Sequence, residues 1–149
     1  MNATEVRALA VAMLARREHG VQELCKKLIR KGSPPVVAQD VVAGLAAEQL
    51  VSDRRFTDDL ARVRRNRGYG PVRIERELRA KAVAPDVVDQ WRERAGEDWI
   101  ELLREVRRKK YGTRLPQTFA ERAKQARFLF VRGFTHEQIR LVLGQRDED

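Results

Sequence analysis

Aromatic side chains make up only 6% of this 149-residue sequence, which has one cysteine, Cys25, and two histidines, His19 and His136. Each scarcity removes a class of protein. A lone cysteine closes no internal disulfide, and Cys25 falls on the apolar side of an expected helix, where a buried thiol is the ordinary reading. Neither histidine has a cysteine or a second histidine at metal-ligand spacing. His136-Glu137 opens like a zinc-protease helix, but Arg140 stands where the second histidine belongs. There is no glycine-rich phosphate loop ending in Lys-Ser or Lys-Thr and no dinucleotide fingerprint. Asp58-Asp59 and Asp86 with Asp89 sit in expected first helical turns, where the helix dipole favours acids without any metal. No apolar stretch approaches the roughly 18 residues that span a bilayer. Met1 to Ala12 carries Glu5 and no basic cluster before an apolar run, so a secretory signal is not expected. These absences point to a cytoplasmic binding protein, not an enzyme, with no metal and no cofactor.

What is abundant is charge. Lys and Arg number 31 against 22 Asp and Glu, giving a net charge of +9 and a sequence pI near 10.4. Such a balance favours nucleic acid, or a protein assembled on it, as partner. Much of it alternates in sign along the helices and is solvated surface. Denser groups stand out. Arg64, Arg65 and Arg67 close the fourth expected helix, and Arg73, Arg76 and Lys81 follow on the fifth. Arg107, Arg108, Lys109 and Lys110 close the seventh, and Arg127 and Arg132 lie on the eighth. The dipole at a helix C-terminus accounts for one or two cations per helix, not four. These twelve are the candidate contacts for a partner or for DNA. Arginine predominates, which suits bidentate contact with phosphate or carboxylate. Tyr69 and Phe134 sit at equivalent turns, either as core staples or as exposed stacking platforms.

The hydrophobic pattern is helical throughout. Apolar residues recur at spacings of three and four: Val6, Leu9, Ala10, Met13; Val21, Leu24, Cys25, Leu28; Val37, Val41, Leu45; Phe56, Leu60, Val63; Ile74, Leu78; Val88, Trp91; Leu102, Leu103, Val106. Asn2, Ser52, Thr118 and Thr135 read as N-caps, and Pro35, Pro71 and Pro85 as helix starts. The seventh helix is expected from about Glu97 to Lys110. The pattern also repeats. Leu24, Leu28, Lys31, Pro35 and Val41 fall on Ile74, Leu78, Lys81, Pro85 and Trp91, and Arg67-Gly68-Tyr69 falls on Arg132-Gly133-Phe134. Such periodicity marks stacked supersecondary units. The expected fold is all-α: tandem three-helix modules over 1–51, 52–95 and 96–149, the last with an acidic C-terminal end. They would form an elongated, curved body. Hinges are expected at Leu50-Val51-Ser52 and, looser, at Tyr111 to Pro116.

Three motifs in order resemble the RecX family, bacterial regulators of the recombinase RecA. Tyr69-Gly70-Pro71-Val72-Arg73-Ile74 with Glu77-Leu78 and Lys81 resembles the family's central signature. Arg16-Arg17-Glu18-His19 with Glu23-Leu24, Lys27-Leu28 and Lys31-Gly32 resembles its first. Phe128-Leu129, Arg132-Gly133-Phe134 and Glu137-Gln138-Ile139 resemble its last. The sequence departs from the pattern at Ala82 and Gln49, where the family commonly has glycine. The resemblance implies tandem three-helix modules and binding to RecA in the groove of its filament on single-stranded DNA. It also implies inhibition of the recombinase, ATPase and coprotease activities of that filament, and so a place in DNA repair, recombination and the SOS response. A monomer, with possible direct DNA contact and no membrane, fits this reading. The competing class is a direct DNA reader, with α-helices on either side of Ala82-Val83-Ala84 imitating a helix-turn-helix. Against it, the cations are spread over the modules, and no one helix concentrates base-reading Asn, Gln and Arg.

Overall fold

The computed structural model describes residues 1–96 and 98–144. Among the described residues the regular structure is nine α-helices with no strand: α1 (Ala3–Arg16), α2 (Val21–Arg30), α3 (Pro35–Ala47), α4 (Asp53–Asn66), α5 (Pro71–Ala80), α6 (Pro85–Arg94), α7 (Trp99–Tyr111), α8 (Phe119–Val131) and α9 (His136–Leu143). Local chemistry explains the starts. Asn2, Thr118 and Thr135 accept the backbone N–H three residues on, and Thr135 with Gln138 forms a complete capping box. Ser52 Oγ accepts from Arg55 N at 3.2 Å. Proline opens α3, α5 and α6, where its missing N–H costs no helical hydrogen bond. The expected start at Glu97 and the acidic C-terminal end lie outside the described residues.

The helix boundaries carry the repeat. α2 and α5 begin at Val21 and Pro71, α3 and α6 at Pro35 and Pro85, so each pair keeps the same offset. Leu24, Leu28, Ile74 and Leu78 are fully buried, and Ile139 and Leu143 nearly so. Two inward faces are turned from the expectation. On α3 the buried residues are Ala38, Val42 and Leu45, with Val37 and Val41 only packed on the flank. On α4, Thr57 and Ala61 are buried with Phe56, while Leu60 and Val63 are half-buried. Small side chains let the backbone come close, so Ala38 and Ala61 occupy central places that size alone would have given to valine and leucine.

The chain divides into two compact units. Unit 1 comprises Met1–Leu60 and Leu78–Trp91, and unit 2 comprises Ala61–Glu77 and Arg92–Asp149. The three-helix rhythm and this division are different partitions of the chain, because the division falls inside α4, α5 and α6. In unit 1, Val6, Ala10, Leu24, Leu28, Ala38, Val42, Leu45 and Val51 form one core, in which Cys25 is also buried. In unit 2, Leu103, Val106, Leu129, Phe134, Ile139 and Leu143 form another.

Five turns end their helices the same way. The N–H of Ser33, Leu50, Tyr69, Val83 and Phe134 reaches back five residues to Leu28, Leu45, Arg64, Leu78 and Leu129 carbonyls, at 2.9–3.2 Å. The residue before each has positive φ: Gly32, Gln49, Gly68, Ala82 and Gly133. This is the Schellman geometry, which favours glycine. Gln49 (φ 63°) and Ala82 (φ 54°) adopt it with a side chain present. The two departures from the family pattern therefore keep the turn and accept its strain.

A buried carboxylate organises unit 1. Glu23 accepts two N–H bonds from Arg17 at 3.0 and 2.8 Å, one from Gly20 N at 3.3 Å, and pairs with Lys81 Nζ at 3.0 Å. Burial opposes the ionised form, but the hydrogen bonds from Arg17 and Lys81 outweigh it and hold the carboxyl down at about 2. Asp53 supplies a second tie, accepting from Val21 N at 2.8 Å and Ala84 N at 3.2 Å.

Ala82 is exposed, so Ala82→Gly removes left-handed strain and loses no packing. Set against the greater unfolded-state freedom of glycine, the change should raise stability by about 0.5–1 kcal/mol in urea denaturation. A loss of stability would contradict the observed turn. Glu23 makes a pH prediction. Its carboxyl lies below its ordinary 4.5 in the folded chain, so its contribution is present above that pH and is lost as pH falls toward about 2. Glu23→Gln should abolish that acid dependence and cost on the order of 3 kcal/mol at neutral pH.

Candidate functional site

Unit 2 contains a basic cleft of about 480 Å³. Its lining includes Arg65, Asn66, Arg67 and Gly68 from the end of α4, Leu102, Glu105, Val106, Lys109 and Lys110 from α7, and Phe128 and Arg132 from α8 and its end. Helical spacing accounts for the neighbours within each helix. Lys109 and Lys110 fall in the last turn of α7, and Phe128 and Arg132 lie one helical turn apart. The cations have an aromatic floor. Arg132 lies 5.0 Å from the Tyr69 ring centroid and 5.4 Å from that of Phe128, and Lys110 lies 5.4 Å from Phe128. Arg73 stacks on Tyr69 at 3.9 Å and Arg65 on Trp99 at 4.4 Å. Rings orient guanidinium groups without neutralising them. Five cations against one lining carboxylate, Glu105, give the cleft a field that attracts phosphate or carboxylate.

The turn before α5 is locked to the turn after α8. Gly70 N donates to Arg132 O at 2.8 Å and Val72 N to Gly133 O at 2.9 Å, while Arg132 Nη1 donates to Arg67 O at 2.9 Å. The approach leaves no room for side chains. A Cβ on Gly70 would lie 2.6 Å from the Gly133 carbonyl, and one on Gly133 would lie 2.6 Å from Arg73 Cβ. This close contact places Tyr69, Arg73 and Arg132 beside one another.

The candidate contacts therefore separate. Arg65, Arg67, Lys109, Lys110 and Arg132 line the cleft, and Arg73 adjoins it through Tyr69. Arg64 is committed to Glu77 at 2.8 Å, a carboxylate that Arg73 also approaches at 3.5 Å. Lys81 is paired with Glu23 in unit 1. Arg76, Arg108 and Arg127 are exposed and do not line the cleft. Arg107 is corrected: it is only 5% exposed and donates to Gln125 Oε1 and to the carbonyls of Gly112, Thr113 and Arg114. Its guanidinium is spent inside the fold. It also corrects the expected looseness of Tyr111 to Pro116, since those carbonyls are fastened and Pro116 is buried. Phe134 is a fully buried staple, whereas Tyr69 is half-buried beneath two arginines. Phe128, which belongs to the last of the three motifs, was not among the candidate contacts; its signal was its position one turn before Arg132.

Among the described residues, no group of three His, Cys, Asp or Glu is placed to hold a metal, and no helix is long and apolar enough to cross a membrane. Family models for the first, second and third three-helix domains of RecX match residues 7–45, 52–90 and 96–143. The chain is 43% identical to the regulatory protein RecX of Halorhodospira halophila over 97% of its own length and 89% of that protein's. It is 41% identical to the regulatory protein RecX of Ectopseudomonas mendocina, over 99% and 98% of the two chains. The chain belongs to the RecX family. Its fold is also that of the crystal structure of RecX from Lactobacillus salivarius, with a TM-score of 0.81, 15% identity and coverage of 95% and 94%. In RecX terms, the second domain brings Arg65 and Arg67 to the cleft, and the third brings Lys109, Lys110, Phe128 and Arg132.

Gly70→Ala should destabilise the chain by about 1–3 kcal/mol, because the added methyl meets backbone and not a movable side chain. Thermal denaturation with far-ultraviolet circular dichroism reads this. An unchanged melting temperature would mean that the two turns are not in contact.

Proposed function

We propose that this chain is a negative modulator of RecA that binds the RecA–single-stranded DNA filament. On this reading it restrains the filament's recombinase, ATPase and coprotease activities and so regulates DNA repair and recombination, acting in the cytoplasm as a monomer and not as an enzyme. Membership of a family whose members are named regulatory protein RecX supports the regulatory role. The observation that carries the mode of action is the basic cleft of unit 2. Arg65 and Arg132 are held against rings, while Arg67, Lys109 and Lys110 are exposed, so the charges are partly pre-oriented and still accessible. A nucleoprotein filament offers both phosphates and acidic side chains to such a surface, and charge-assisted hydrogen bonds to either gain strength where water is excluded. The contact area would centre on Arg65, Arg67, Lys109, Lys110 and Arg132, with Arg73 behind them.

The test is RecA-dependent ATP hydrolysis on single-stranded DNA with substoichiometric additions of this chain. Wild type should lower the rate, and less so as salt rises, because contacts to a polyanion release counterions. Arg67→Glu with Lys110→Glu alters exposed side chains and should keep helicity and melting unchanged. It should raise the concentration needed for half-inhibition by about tenfold or more. Wild type that leaves RecA hydrolysis unaltered but binds duplex DNA alone would establish the direct DNA reader instead.

A further inference from the structure

The first-domain motif, Arg16-Arg17-Glu18-His19 with Lys27 and Lys31, takes no part in the cleft of unit 2. It builds a second concavity of about 470 Å³ in unit 1. The last turn of α1 delivers Arg16, the following turn delivers Arg17 and His19, and α2 with its C-cap delivers Lys27, Arg30 and Lys31, the last two three and four residues after the first. Met13 completes the lining, and no carboxylate contributes to it. Five cations around one hollow repel one another, so the arrangement calls for a counter-charge.

Glu23 is buried and already bound by Arg17 and Lys81, and it acts on Lys27 through space alone. Among the described residues, no acidic side chain pairs with Arg16, Arg30 or Lys31. His19 fixes the floor. Its Nδ1–H donates to Arg17 O at 3.0 Å, which leaves the Nε2 lone pair to accept from Lys27 Nζ at 3.1 Å. Lys27 is thereby held in place with two N–H bonds to spare. Burial, and after it the charge of Arg17, lowers the Lys27 pKa, and burial lowers that of His19. A bound anion would favour the charged form of Lys27.

We infer that this hollow is an anion site for a phosphate-bearing ligand of two or more negative charges, held by Arg16, Lys27, Arg30 and Lys31. A single carboxylate would leave most of this charge unmatched, while a volume of about 470 Å³ suits a small ligand or a short run of phosphates. The same chemistry is offered by a free polyphosphate group and by successive phosphodiesters of a single strand. The site shares no lining residue with the cleft of unit 2 and does not depend on RecA.

The test uses the full chain without RecA at low salt. Inorganic tripolyphosphate is titrated by calorimetry, and a labelled oligothymidylate by fluorescence anisotropy. Arg30→Gln with Lys31→Gln changes two exposed residues and should preserve the melting curve, while weakening binding by about tenfold or more. Lys27→Gln should do the same, and Arg76→Gln, which changes an exposed cation outside both hollows, should not. In wild type, the bound anion should shift the imidazole resonances of His19 and leave those of His136 in place. Tripolyphosphate binding alone, lost in the variants, identifies a free phosphorylated ligand. Oligothymidylate binding that is lost in the same variants identifies nucleic-acid phosphate. The site is overturned if neither probe binds, or if binding is indifferent to Arg30, Lys31 and Lys27 with the His19 resonances unmoved.

Discussion

Helices of about ten residues do not hold themselves in water, and α2, α5 and α6 are all that short. Each depends on what its first turn is tied to. Asp53 accepts the opening N–H of α2 and also that of Ala84, just before α6. Gly133 O accepts from Val72 in the first turn of α5. Glu23 binds the turn before α2 to Lys81, just beyond α5. These ties use orphan donors that every helix start presents, so one set of polar groups both finishes a helix and fixes its neighbour.

The same economy governs the cations. Arginines that look alike along the chain have different fates once packed. Arg107 is consumed in bracing a loop, Arg64 is neutralised by Glu77, and Arg132 caps the carbonyl of Arg67 while lying near two rings. What remains for a partner is the smaller group that lines a hollow with little opposing charge. The two hollows described above, one in each unit, have distinct lining residues. A net charge of +9 is thus a sum over structural, neutralised and available cations.

Much of this was legible in the sequence, and for definite reasons. Helix starts were readable because capping is local: Asn2, Ser52, Thr118 and Thr135 act within three residues. The repeat was readable because its Leu, Gly and Pro positions recur at a fixed offset, and α2 and α5 keep that offset. Membership of the RecX family was readable from three ordered motifs. Tertiary structure alone decided the burial of Arg107, the choice of Ala38 and Val42 over Val37 and Val41, and the convergence of Arg67, Lys110 and Phe128 on one cleft. It also decided that Gln49 and Ala82 would hold a left-handed turn without glycine. Periodicity specifies which residues share a helix face. Which face meets which, and which charge finds an acceptor on the way, is settled only when distant segments pack.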